Sequence, residues 1–200
     1  MRPIRHRPRL WIIAGPNGCG KSTAYSHSDI AEFDGSVWII NPDLLTMRLV
    51  DQEGLGQRDA NLEAVTRIEK WLDASIDVHQ TIGVETVLST PKYRSMVEKA
   101  KRRGFEIRLI YVIVDSVETQ IERVRLRVRK GGHDVPEDKI RSRRARSLEQ
   151  LAWFFGQADY ALVYDNSSAE PRVMVELREN VILVSDAVLP EIAGALGLDS

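Results

Sequence analysis

The 200-residue chain contains one cysteine, Cys19. That scarcity excludes an internal disulfide and a cysteine zinc cluster, and it points to a reducing, cytoplasmic setting. Long apolar runs are missing too. The run from Leu10 to Ala14 is too short for a signal-peptide core or a membrane span, so no membrane association is expected. Charge of one sign is not in excess: 28 Lys and Arg stand against 29 Asp and Glu, and a net charge of -1 gives no global basic footprint for nucleic acid. The sequence also lacks internal repeats, low-complexity tracts and any long Gly/Ser/Pro linker. It reads as one domain over residues 1–200, with a core large enough to fold without cross-links.

What the chain does contain begins at Gly15. Residues Gly15, Pro16, Asn17, Gly18, Cys19, Gly20, Lys21 and Ser22 match the phosphate-binding loop G-x-x-x-x-G-K-[ST]. The apolar run before the loop and Ser22-Thr23 after it supply the strand-loop-helix setting the motif needs. Glycines let the backbone curl so that successive N–H groups point inward, backed by a helix N-terminus. Lys21 is then expected to reach the β- and γ-phosphates of ATP, with GTP as the alternative donor, and the Ser22 hydroxyl to hold Mg²⁺.

Apolar runs at 10–14, 37–40, 81–84, 107–114 and 160–164 alternate with helical patterns at 60–80, 93–103, 117–128 and 139–157. This pattern predicts an α/β fold with a mostly parallel central sheet wrapped by helices. The tail differs: Val173 to Leu177 and Val181 to Val184 flank a turn-prone segment and predict a β-hairpin, followed by a short helix over 189–196. We expect residues 171–200 to form an appendage of the same domain.

Four further signals surround the loop. In I-I-N-P-D, Asp43 follows a predicted strand, where α/β ligand sites lie, and could take the proton of an attacking hydroxyl; the alternative is that Asn41 or Asp43 caps the next helix. Glu85 and Thr86 end the following strand, placing Glu85 to hold Mg²⁺ through water or, with Thr86, to orient the acceptor, against the alternative of a solvated strand-end glutamate. Residues 123–146 hold ten basic residues against three acidic ones around Gly131-Gly132-His133-Asp134-Val135-Pro136. Two basic helices joined by a glycine hinge suit an arginine-rich lid, with Arg123 and Arg127 on one helix face and Arg143 and Arg146 on another. The competing interpretation is a solvated basic hairpin or an RNA-binding face. His133 reads as a hinge or phosphate contact, and Asn166, in Asp165-Asn166-Ser167, as a residue near the base or as part of a plain turn.

Together, G-P-N-G-C-G-K-S-T, I-N-P-D, V-E-T-V-L-S, R-V-x-x-R-V-x-x-G-G-H-x-V-P and Y-D-N-S resemble the small stand-alone members of the zeta-toxin-like P-loop kinases. The resemblance runs from about Leu10 to Ser167 and is most specific in the G-G-H-x-V-P block. It implies a P-loop NTPase three-layer sandwich with an adenylate-kinase-like lid, and ATP/Mg²⁺-dependent phosphorylation of a small-molecule hydroxyl. In zeta toxins the acceptor is the 3′-hydroxyl of UDP-N-acetylglucosamine, and the toxin role implies an antitoxin protein as a partner. Carried over by position, Lys21 and Ser22 bind phosphate and Mg²⁺, Asp43 is the base, Glu85 matches the strand-end glutamate, and Arg123, Arg127 and Arg143 are the lid arginines. Arg144 departs from the aromatic expected there.

Three other functions compete. A nucleic-acid kinase or repair enzyme would set the basic helices against a phosphate backbone and show strong salt dependence. A motor-type ATPase shares the G-P-N-G spelling but needs an S-G-G signature and a strand ending in Asp-Glu, whereas this chain has Asp115-Ser116. A regulatory module would bind ATP without acceptor-dependent turnover.

Overall fold

The computed structural model describes residues 7–21, 39–132 and 134–198. Among the described residues seven strands, β1 (Arg9–Ala14), β2 (Ile39–Ile40), β3 (Ile82–Thr86), β4 (Glu106–Ile113), β5 (Tyr160–Asp165), β6 (Arg172–Arg178) and β7 (Val181–Val184), form one sheet in the order β2-β3-β1-β4-β5-β6-β7. Strands β1 to β5 pair in parallel and the last two are antiparallel. The helices are α1 (Pro42–Glu53), α2 (Gln57–Asp77), α3 (Arg94–Arg102), α4 (Val117–Arg129), α5 (Glu137–Gln157) and α6 (Pro190–Leu196). This is the α/β P-loop sandwich that the alternation of patterns predicts.

The apolar runs account for the sheet. Leu10 to Ala14 and Leu109 to Ile113 are buried throughout, as strands covered by helices on both faces must be. Strand β1 lies between β3 and β4, so its carboxyl end falls where the strand order reverses, the usual ligand crevice of open α/β sheets.

Helix boundaries follow local chemistry. The Asn41 side chain accepts hydrogen bonds from Asp43 N (2.9 Å) and Leu44 N (3.3 Å), Pro42 occupies the first turn, and left-handed Gly54 ends α1. Ser116 caps α4 through Thr119 N at 3.1 Å. Helix α2 buries Ala60, Ala64, Ile68, Leu72 and Ile76, a stripe at four-residue spacing.

The tail is more than an appendage. Strand β6 pairs with β5, and Met174, Val175 and Ile192 are buried in the main core, so residues 172–196 extend the sheet and close its core. The predicted hairpin turn is present, with Glu179 and Asn180 both at positive φ. Among the described residues no helix is long and apolar enough to cross a membrane.

Candidate active site

The phosphate loop leaves β1 at Gly15, and its glycines are there for space. A Cβ on Gly15, which has φ +140°, would lie 2.0 Å from the Val112 carbonyl oxygen; one on Gly20, at φ +76°, would lie 2.3 Å from Asn166 Nδ2. Neither position admits another residue without rebuilding its neighbour. Lys21 donates its ammonium to the carbonyls of Gly15 (2.9 Å) and Pro16 (3.4 Å). Ser22 and Thr23 lie outside the described residues, as does His133.

On one side of Lys21 stand the carboxylates. Glu85, at the end of β3, lies 3.8 Å from Lys21 Nζ and accepts 3.0 Å from Asn41 Nδ2. Burial pushes the Glu85 carboxyl up from its ordinary range; Lys21 opposes this, and the neighbouring charge of Asp43 adds to it. The cap belongs to Asn41, which uses its oxygen on α1 and its amide on Glu85, so Asp43 is exposed at the second helical position with no capping duty. The Thr86 hydroxyl oxygen accepts a hydrogen bond from Leu88 N at 3.0 Å, an ST-type turn.

These residues line a cleft of about 340 Å³ with Asn17, Lys21, Asn41, Asp43, Glu85, Thr86, Lys92, Tyr93, Arg127 and Arg143. A second cleft, of about 480 Å³, runs along the loop between Gly20, Lys21, Glu85, Arg123, Arg127, Asn166 and Ser168. The clefts share Gly18, Lys21, Glu85 and Arg127, and Asp43 lines only the first. A wider cavity of about 690 Å³ between α2 and α3 touches the site only through Lys92 and Tyr93.

The basic segment does form two helices joined by a glycine turn. Arg123 donates to Ser167 O at 3.1 Å, and Arg143 donates to Asn17 Oδ1 at 3.1 Å. Arg146 is exposed and lines neither cleft, so the pairing of Arg143 with Arg146 on one face brings only Arg143 to the site. An apolar cluster of Ile121, Val124, Val135 and Ile140 glues α4, the turn and α5 together.

Asn166 is buried, and its amide donates to Cys19 O (2.7 Å) and Gly20 O (3.5 Å). Its amide donors therefore hold the backbone of the loop, and the same residue lines the cleft that runs along it. Arg144, the departure from an expected aromatic, is buried at 4 % exposure. It donates to Val114 O (2.9 Å), Gln120 Oε1 (3.0 Å) and the Glu191 carboxylate (3.1 Å from Nε). Gln120 in turn donates to Asn17 O (3.2 Å) and Cys19 Sγ (2.9 Å), and burial raises the pKa of that thiol. Sequence reasoning missed Gln120, Glu191, Lys92 and Tyr93. Tyr93 is a buried phenol whose hydroxyl has no hydrogen-bond partner among the described residues.

A glycine-built anion loop at the switch point of a parallel sheet, faced by carboxylates and arginines, defines a P-loop kinase-like nucleotide-binding domain. A family model described as an AAA domain matches residues 10–151, and the chain belongs to that family. An uncharacterized protein of Haemophilus influenzae is 28% identical over 144 residues, 68% of this chain and 98% of its own length. Among solved structures, the AvrRxo1-ORF1:-ORF2 complex with ATP has a TM-score of 0.71 at 16% identity, covering 90% of this chain. This chain spans 61% of that relative's length. The PezAT chromosomal toxin-antitoxin system of Streptococcus pneumoniae has a TM-score of 0.55 at 16% identity, covering 84% of this chain and 72% of the other. At such identities the shared property is the fold.

Proposed function

We propose that the protein is an ATP/Mg²⁺-dependent kinase that transfers the γ-phosphate to the hydroxyl of a small molecule. The observation that carries this reading is that two clefts meet at Lys21, Glu85 and Arg127, with the lone exposed carboxylate Asp43 on one side only. The cleft along the loop takes the nucleotide, and the cleft with Asp43 takes the acceptor. Lys21 exchanges its two carbonyl partners for phosphate oxygens, and Arg123, Arg127 and Arg143 neutralise charge on the transferring group. Asp43 accepts the acceptor's hydroxyl proton as its oxygen bonds to the γ-phosphorus, and the β–γ bridging oxygen leaves with ADP. Mg²⁺ binds through few protein carboxylates and the substrate phosphates. Glu85 beside Lys21 fits that donor set, the loop motif would add the Ser22 hydroxyl, and the ion would supply charge neutralisation of the phosphates.

The acceptor we favour is a nucleotide sugar such as UDP-N-acetylglucosamine, on the strength of the zeta-toxin-like resemblance and the PezAT fold likeness. The same resemblance makes an antitoxin the protein partner to seek, in the cytoplasm, with residues 1–200 acting as one kinase domain. The test is transfer of labelled γ-phosphate from ATP to a metabolite extract and to a nucleotide-sugar panel. Asp43→Asn should lower transfer by about 10²–10⁴-fold and leave ATP affinity within about threefold, because the cap uses only the backbone N–H of Asp43 and its carboxylate lines only the cleft away from Gly20. Transfer that survives this change removes Asp43 as base. ATP binding with no labelled acceptor identifies a regulatory module instead.

A further inference from the structure

The family match ends at residue 151, inside α5, yet a side chain from α6 connects to the phosphate loop. Glu191 is half exposed on its own helix and pairs with Arg144, whose side chain is 5 % exposed. Arg144 cannot accept a hydrogen bond, so its contact with Gln120 at 3.0 Å fixes which end of that amide faces it: the oxygen. The Gln120 amide nitrogen is thereby turned toward the loop, where it meets Asn17 O at 3.2 Å and Cys19 Sγ at 2.9 Å. If Gln120 flipped, its oxygen would oppose the Asn17 carbonyl, and the loop would lose the donor that holds that carbonyl outward. Asn17 is gripped from its other end by Arg143, at 3.1 Å on Oδ1. Adjacent residues of α5 thus hold one loop residue from front and back.

We propose that Glu191, acting through Arg144 and Gln120, is a positioning residue for the phosphate loop, so that α6 is a working part of the nucleotide site. This rests on the loop binding ATP but not on the identity of the acceptor. A purely structural ion pair changes stability. A positioning relay changes the loop itself, and its members act as one unit.

The test is ATP affinity of the full chain, by displacement of a fluorescent ATP analogue, for Glu191→Gln, Gln120→Met and the double variant. Arg141→Ala, which removes an exposed pair between α5 and Glu118 of α4, serves as the control. Each single variant should bind ATP about tenfold more weakly, a loss of about 1.4 kcal/mol, and the double variant no more weakly than the worse single. The backbone amide resonances of Gly18 and Cys19 should shift in nucleotide-free Glu191→Gln, which loses only a half-exposed charge and should stay folded by circular dichroism. Affinity within twofold and unshifted amides in Glu191→Gln would overturn the relay, as would a hundredfold loss in the double variant. Failure of the wild-type chain to bind ATP would instead overturn the nucleotide reading beneath it.

Discussion

The contact between Gly20 and Asn166 offers a sharp test of how the loop is held. In Asn166→Ala, the buried Cys19 carbonyl loses its donor at 2.7 Å, which should cost about 1–3 kcal/mol. In Gly20→Ala, two effects combine. A left-handed residue acquires a Cβ, at φ +76°, which costs roughly 1–2 kcal/mol. That Cβ also sits 2.3 Å from Asn166 Nδ2, so the amide is expelled and the same hydrogen bond is lost, another ~1–3 kcal/mol. Gly20→Ala alone therefore costs ~2–5 kcal/mol. In the Asn166→Ala background the clash is already relieved, and the glycine change should cost only the backbone strain. The double variant should be about as unstable as Gly20→Ala alone, giving a coupling of about 1–3 kcal/mol, or about 5–150-fold in an equilibrium constant. Denaturant unfolding of all four proteins measures this coupling. If the two changes add within about 0.5 kcal/mol, the steric argument is wrong and Gly20 is required for another reason.

Two further predictions concern the carboxylate and the sheet edge. Burial raises the Glu85 pKa above its ordinary 4.5, more than Lys21 and Asn41 lower it. The folded chain therefore holds that proton more tightly than the unfolded chain, and stability falls as pH rises from 4.5 through the raised value. Glu85→Gln should raise the melting temperature of the nucleotide-free protein at pH 7, with the advantage shrinking as pH falls through the raised value toward 4.5; an unchanged or lower value at pH 7 would contradict this assignment. On β7, Val181, Ile182, Leu183 and Val184 are all exposed on the last strand of the sheet, an arrangement prone to edge-to-edge association. Leu183→Lys should reduce concentration-dependent light scattering and shift the melting temperature little, and equal scattering by both proteins would refute it.

What was legible in the sequence was what rests on local pattern. The phosphate loop is a contiguous motif, and Asp43 and Glu85 were singled out because parallel strands aim their carboxyl ends at one crevice, where both line one cleft. Arg123, Arg127 and Arg143 were singled out because charge clustering around a glycine turn is visible along the chain, and each lines one or both clefts. The support behind the loop was not, since Gln120 and Arg144 meet across 24 positions and Arg144 and Glu191 across 47. One signal was present: Arg144 lies four residues after Ile140 and seven before Leu151, on the buried stripe of α5. A charged residue on an apolar stripe requires a buried partner. Glu191 sent no such signal, because an acid in the first turn of a helix already has a sufficient local reason to be there.

The hydrogen bonds of the loop explain why its support comes from so many elements. A loop that gathers an anion must turn its N–H groups inward, which drives carbonyls outward into the protein, where each needs a donor. Gln120 supplies one for Asn17, and Asn166 supplies one for Cys19 and Gly20. Gly15 and Pro16 receive theirs from Lys21, the residue that phosphates would draw away. The carbonyls at 17, 19 and 20 therefore have donors from outside the loop, and those at 15 and 16 have one from within it. Departure of the Lys21 ammonium leaves the first set untouched, so the half of the loop nearest Arg123 and Arg143 keeps its shape while the charge inside it changes. Support from outside the loop at one end and an exchangeable donor at the other would let a single lysine serve the loop with and without a bound phosphate.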